Sequence, residues 1–362
     1  MSNDNDSGVV GSEGHGAENR ESSVLPRDYD CRYLSWEREG TPYRKQIYQE
    51  REFNPEDIIT FKFNEGTKLL GSEDLQRQVM DAGRNPGLGI RKLHADGITG
   101  DKVRVGIIDR NLASLEHPEF AGKIIAYHDV GCNKSPDVGS ARAPAAVSLL
   151  VGETIGTAPG ALVYFAAVPY WKDDSEYTAE ALRWIIEQNR ELPDGEKIRV
   201  VSVPNWPPAR NLLVWNSMLQ TAQEEGILVL DCNYHNGWSC MIALASFDPC
   251  DRENVETCES EFPDDARYFH RLRRWIHVPC GYRTVAEEYH KGEFSYSYSG
   301  KNGLSWSVPY VAGVLAQGWQ IRPELSRKEM LGVLYKTCYV NAKGLRFVNP
   351  PAFIESLKEN HQ

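Results

Sequence analysis

The sequence lacks an apolar run of membrane-spanning length, and its first residues have neither the basic stretch nor the apolar core of a secretory signal. It has eight cysteines but no Cys-x-x-Cys pair, so without an export signal we expect free thiols rather than a disulfide framework. Basic residues are also in deficit, because 40 Lys and Arg stand against 51 Asp and Glu. The resulting net charge of −11 argues against nucleic acid or a membrane surface as the main partner. These absences together predict a cytoplasmic location.

A zinc site is one alternative that the cysteines leave open. Cys232, Cys240, Cys250 and Cys258 occur within one stretch, and His235 lies among them. Their spacings are wider than those of a usual zinc knuckle. We therefore predict no metal site and no cofactor.

Composition predicts one large globular domain with an extension, since 41% of the residues are hydrophobic and 25% are charged. Residues 1–23 are polar and rich in Gly, Ser, Asp and Glu, which predicts a disordered tail. Residues 24–88 form a charged N-terminal extension with scattered aromatic residues. Within it, the alternating run 58–63 predicts a short strand.

Strand and helix patterns alternate through the rest of the chain. This order predicts parallel strands joined by helical crossovers, with helices on both faces of the sheet. Ligands of such sheets bind at the carboxyl ends of the strands, where Asp109, 202–205 and Asn233 fall. The predicted strands are 103–108, 123–127, 162–167, 198–203 and 227–230, and the predicted helices lie near 143–152, 178–189 and 212–225.

One short segment places a serine at the start of an apolar helix. Ser305 follows Gly303, and Pro309 lies four residues further on. The free backbone N–H groups and the dipole of a helix N-terminus favour an anion, as acyl transfer requires beside its nucleophile. Taken alone, such a serine is more often only a helix cap.

Two further segments favour a nucleophile over a helix cap at Ser305. An apolar strand ends at Asp109 and is followed by His117-Pro118, and a second apolar strand leads to Asn233. Together with the Ser305 segment, their order resembles the subtilisin-like serine peptidases over residues 89–362. The resemblance implies a subtilisin-like doubly wound, mostly parallel sheet. It also implies that Ser305 is the nucleophile, Asp109 the aspartate of the triad and Asn233 the oxyanion donor, although residues flanking Ser305 and Asn233 depart from the family pattern.

The family's catalytic histidine is missing. Its segment corresponds to Arg142-Ala143-Pro144, followed by an apolar helix and a Gly-x-Ala-Pro turn at Gly156, so that Arg142 takes the histidine's place. A serine hydroxyl is a weak nucleophile until a base accepts its proton, and arginine has donors but no acceptor. Arg142 would instead pair with Asp109, bind a carboxylate of a bound peptide, or point to solvent.

No other histidine is a natural substitute for the base. His117 belongs to the His-Pro turn, and His128 falls in the second predicted strand. His235 is nearer to the predicted cleft because it lies two residues after Asn233. The remaining histidines show no pairing with a carboxylate or a cysteine.

The resemblance also implies where a peptide would bind. Ser202, Val203 and Pro204 stand where the family's Ser-Leu-Gly strand pairs with substrate, but Pro204 has no backbone N–H to donate. The charged insertion 248–274 is a second segment that could contact a partner protein.

Two function classes follow. The first is a pseudoprotease that binds a peptide or protein in the former substrate cleft. The second is an active serine endopeptidase that uses Ser305 and Asn233 with an unidentified or externally supplied base. The loss of the histidine favours the first class, and no sequence feature indicates the partner or the oligomeric state.

Overall fold

The computed structural model describes residues 24–32, 52–132, 139–140, 142–232, 242–262 and 271–359. Helices α1 to α3 are Glu73–Gly83, Ile90–Ala95 and Arg142–Val151, and α4 and α5 are Ser175–Glu191 and Leu212–Glu224. Helices α6 to α8 are Leu304–Ile321, Arg327–Lys336 and Pro350–Glu359. Strands β1 to β6 are Lys62–Asn64, Arg104–Asp109, Ile124–Asp129, Leu162–Ala167, Val200–Val203 and Leu228–Asp231. Strands β7 to β13 are Ile242–Ser246, Glu259–Ser260, Ile276–Pro279, Arg283–Glu287, Ser295–Ser299, Tyr339–Val340 and Arg346–Phe347.

A five-stranded parallel sheet, in the order β3-β4-β2-β5-β6, forms the centre of the protein. Side chains alternate between its faces, as the period of a strand requires. Val105 and Ile107 of β2 pack with α3 and α6, whereas Ile108 packs with α4 and α5. Gly106 lies between them, and a Cβ there would come within 2.9 Å of Val201. The structure thus confirms the doubly wound, mostly parallel α/β sheet with helices on both faces.

Two smaller sheets complete the described fold. One has the order β12-β13-β9-β7-β8 and contains both parallel and antiparallel pairs. The other has the order β1-β11-β10 and is antiparallel throughout. The N-terminal extension therefore joins a hairpin that directly precedes α6 in the chain.

The strand predicted at 58–63 is wrong over its first half. Pro55–Thr60 is a 3₁₀ helix, and β1 begins only at Lys62. The side-chain oxygen of Asn54 accepts the backbone N–H of Glu56, and Pro55 supplies a backbone angle suited to a first helical residue. Local capping thus overrides the alternating pattern. None of the described helices is both long and apolar enough to cross a membrane.

Candidate active-site cavity

A cavity of about 320 Å³ lies at the carboxyl end of the parallel sheet. Asp109 ends β2, Pro204 follows β5, and Arg142 and Ser305 lie in the first turns of α3 and α6. The cavity therefore brings together Asp109, Arg142 and Ser305, which the sequence placed in one site. Its lining comprises Arg32, Lys62, Asp109, Arg142, Ala145, Ala146, Pro204, Val285, Glu287, Ser297, Asn302, Ser305 and Trp306.

Asp109 is a buried carboxylate with 1% of its surface exposed. Its Oδ1 accepts the backbone N–H of Arg110 at 2.7 Å and the side-chain amide of Asn205 at 3.4 Å. Burial raises the pKa of Asp109 to about 6, because the loss of water outweighs the attraction of the Arg142 cation and the Arg110 N–H. The group therefore titrates close to neutral pH.

Replacing Asp109 with asparagine is expected to stabilise the protein above pH 6. The folded-state pKa of about 6 exceeds the ordinary 3.8, so the folded protein binds more protons between these values and loses stability as pH rises through them. The amide oxygen of the new asparagine can still accept hydrogen bonds from Arg110 and Asn205, but it carries no negative charge. Urea unfolding of Asp109→Asn should show a gain of about 1–3 kcal/mol at pH 7.5 and little change at pH 4. The exposed Asp101→Asn is the control, and an equal gain at both pH values would contradict the assignment.

Arg142 is the first residue of α3 and is exposed, whereas the following nine residues of the helix are buried. Its Nη2 donates to the carbonyl oxygen of Pro204 at 3.4 Å. The positive charge of Arg142 lowers the pKa of Asp109, partly offsetting the effect of burial. No carboxylate of the described residues, however, lies within 4 Å of the guanidinium. Of the three alternatives for Arg142, a direct ion pair with Asp109 is thus not formed in this structure, where Arg142 contacts the segment that follows β5.

Ser305 is the second residue of α6 and is half-buried. Gly303, in an extended conformation, occupies the N-cap position instead of the serine. Ser307 donates to the carbonyl of Val278 at 3.1 Å and ties this turn to β9. Pro309 has no N–H, so the Ser305 carbonyl receives no helical hydrogen bond. The first turn of the helix is thus fixed in place while Ser305 faces the cavity.

The other sequence-predicted residues have different positions. Pro204 lines the cavity, whereas Ser202 and Val203 are buried within the sheet and pair with Leu230 and Asp231. Asn233 lies outside the described residues, so its role as an oxyanion donor stays a prediction. His235 also lies outside them.

Within the described part of the chain, no histidine lines the cavity. His117 packs against Phe120, and its Nε2 lies 3.2 Å from the carbonyl of Ser295. His128 lies in β3 and stacks on Trp184. Both histidines therefore occupy structural positions away from Ser305.

Three charged residues that line the cavity were not predicted from the sequence, because no motif includes them. Arg32 and Lys62 come from the N-terminal extension, and Glu287 ends β10. Glu287 is buried and accepts hydrogen bonds from the amide of Asn64 and the hydroxyl of Tyr289, each at 2.9 Å. Burial raises the pKa of Glu287 above its usual value. The extension lies outside the subtilisin-like motifs, so only the fold could bring these side chains to Ser305.

The zinc alternative has no support among the residues that the structure describes. They contain no group of three or more His, Cys, Asp or Glu side chains that could hold a metal ion. Cys232 and Cys258 are buried, and burial raises the pKa of each thiol to about 12. Cys250 is exposed, and Cys240 lies outside the described residues.

No protein-family model matches the chain, and no curated protein matches it. Solved structures do resemble it. A chain from the assembly of the subtilase cytotoxin SubAB matches with a TM-score of 0.59 and 16% identity, over 76% of this chain and 96% of that one.

Two proteases give similar results. Fervidolysin from Fervidobacterium pennivorans, a keratinolytic enzyme related to subtilisin, matches with a TM-score of 0.56 and 14% identity, over 75% of this chain and 45% of that one. The prenylagaramide maturation protease PagA matches with a TM-score of 0.52 and 16% identity, over 74% of this chain and 98% of that one. The fold of the protein is therefore subtilisin-like.

Proposed function

We propose that this protein is a pseudoprotease of subtilisin-like fold that binds a peptide or protein segment in the cavity beside Ser305. The observation that carries the proposal is the composition of the cavity. Arg142 lines it together with Asp109 and Ser305, and none of the described histidines does.

The chemistry of Arg142 supports the loss of catalysis. Its guanidinium stays protonated at neutral pH and has no lone pair that would accept the Ser305 proton. Loss of the base from a serine–histidine pair lowers the rate by about 10⁶-fold. Ser305 without a base is therefore a side chain of the cavity wall rather than a nucleophile.

The retained cavity supports binding. Pro204 and Ser305 lie on its parallel-sheet side, and the β10–β11 hairpin contributes Val285, Glu287 and Ser297. The exposed Arg142 side chain and the free backbone N–H groups at the start of α3 can donate hydrogen bonds to a bound peptide. The likeness to a chain of the SubAB cytotoxin assembly adds support for a protein partner.

A labelling experiment tests the proposal. Purified protein is incubated with a fluorophosphonate probe and, separately, with casein, and Ser305→Ala is treated identically. We expect no label at Ser305 by mass spectrometry and no casein fragments above the Ser305→Ala background. Labelling of Ser305 with casein turnover would overturn the pseudoprotease proposal.

An active serine endopeptidase is the second candidate, and one observation favours it. Asp109 and Glu287 are buried carboxyl groups of the same cavity whose pKa values are raised by burial. A carboxylate with a raised pKa can act as a general base. If wild-type protein cleaves casein, loss of turnover in Asp109→Asn or Glu287→Gln would identify the base.

A further inference from the structure

The charges of the cavity come from two distant parts of the chain. The N-terminal extension supplies Arg32 and Lys62, and α3 supplies Arg142. Arg32 is already engaged, because its Nε and Nη2 donate to the carboxylate of Asp30 at 2.9 and 2.7 Å. Among the described residues, neither Lys62 nor Arg142 has a carboxylate within 4 Å. Within the described ranges, these two cations of the cavity thus make no direct ion pair, although Asp30 acts on Lys62 and Asp109 acts on Arg142 at longer range.

The two carboxyl groups of the lining do not fill that role. Asp109 accepts from Arg110 and Asn205, and Glu287 accepts from Asn64 and Tyr289. Both oxygen atoms of Glu287 and the Oδ1 of Asp109 therefore have donors other than Lys62 and Arg142. Arg32 is offset by Asp30, so Lys62 and Arg142 are the two cations of the lining that a ligand carboxylate could contact directly.

The shape of the cavity limits how a ligand fits. Its lining runs from Pro204 and Ser305 on the parallel-sheet side to Lys62 and Ser297 on the other. Lys62 and Ser297 belong to β1 and β11, which pair along their length and form a wall. Strands β1 and β11 thus close the cavity on the side of the N-terminal extension.

We propose that Lys62 and Arg142 bind a carboxylate of the peptide, supplied by its C-terminus or by an Asp or Glu side chain. This inference rests on the proposed peptide binding. The guanidinium of Arg142 offers paired donors to a carboxylate, and the ammonium of Lys62 offers a second, compact charge. The extension therefore determines which peptides the former substrate cleft accepts.

Three pools of random octapeptides test the proposal against immobilised full-length protein. The first pool has free C-terminal acids and no Asp or Glu, and the second is the same pool with amidated C-termini. The third is amidated and carries one Asp or Glu. Captured peptides are quantified by mass spectrometry. We expect the first or the third pool to be captured about tenfold or more above the second, as hydrogen bonds to charged groups imply.

The pools separate the two hypotheses. Enrichment of the first pool identifies the C-terminus as the source of the carboxylate, and enrichment of the third identifies the side chain. Equal capture of all three pools would retain peptide binding and overturn the carboxylate inference. Capture of none would contradict the proposed function itself.

Variants assign the effect to Lys62. In Lys62→Gln the preference for the carboxylate pool should fall about tenfold, and Lys62→Arg should preserve it. Lys68→Gln is the matched control, because Lys68 is an exposed lysine of the same extension that does not line the cavity. Equal thermal unfolding of the three variants excludes loss of fold. An unchanged preference in a folded Lys62→Gln protein would overturn the role of Lys62.

Discussion

Replacing Arg142 with histidine, together with Ala143→Gly, is expected to give the protein peptidase activity through Ser305. The pair introduces the His-Gly sequence that the proposed resemblance to the subtilisin-like peptidases implies for this position. An imidazole at the start of α3 would line the same cavity as Ser305 and Asp109 and supply the missing proton acceptor. A positioned general base contributes about 10²–10⁴-fold to the rate. Casein release and fluorophosphonate labelling should rise by at least about 10²-fold over wild type.

Two further proteins control this experiment. Arg142→Gln removes the charge without adding a base and should remain inactive. Ser305→Ala in the histidine background should abolish any activity gained. A folded double variant with no activity would mean that Ser305 and the start of α3 have lost their catalytic geometry.

Replacing Phe63 with alanine is expected to cause a large decrease in the free energy of unfolding of the protein. Phe63 of β1 is fully buried, and its ring stacks on Tyr298 of β11 with centroids 5.0 Å apart. Truncation of a buried phenylalanine typically costs about 3–5 kcal/mol, because apolar contact is lost and a void remains. Urea unfolding should reveal a decrease of that size. The neighbouring Lys62 should also lose its position in the cavity.

Leu70→Ala is the matched control for Phe63→Ala. Leu70 belongs to the same extension but is 45% exposed, so its truncation should change the stability by less than about 0.5 kcal/mol. A decrease below about 1 kcal/mol in Phe63→Ala would contradict a tightly packed extension.

The parallel sheet could be predicted because its strands are continuous apolar runs. β2, β4, β5 and β6 are almost entirely buried, as both faces of the sheet are covered by helices. The limits of the elements were less certain. The strand predicted at 123–127 extends to Asp129, and the helix predicted at 178–189 covers Ser175–Glu191 because Asp174 caps its N-terminus.

The site could be predicted only in part. Asp109, Arg142 and Ser305 follow recognisable motifs, and the fold places all three along one cavity. Lys62 and Glu287 have no motif, because they reach the cavity through pairing of β1 with the β10–β11 hairpin. Such long-range pairing leaves no local pattern in a sequence.

The same pairing determines when the cavity can form during synthesis. The hydroxyl of Tyr298 donates to the carbonyl of Ile59, 239 residues earlier in the chain. At a translation rate of about 5–20 residues per second, roughly ten to fifty seconds separate these two residues at the ribosome. Until Tyr298 is synthesised, the apolar cluster that contains Leu25, Phe61 and Phe63 lacks the tyrosine ring that completes it. The wall that β1 and β11 form therefore requires synthesis to reach residue 299, and a chain that terminates earlier cannot possess it.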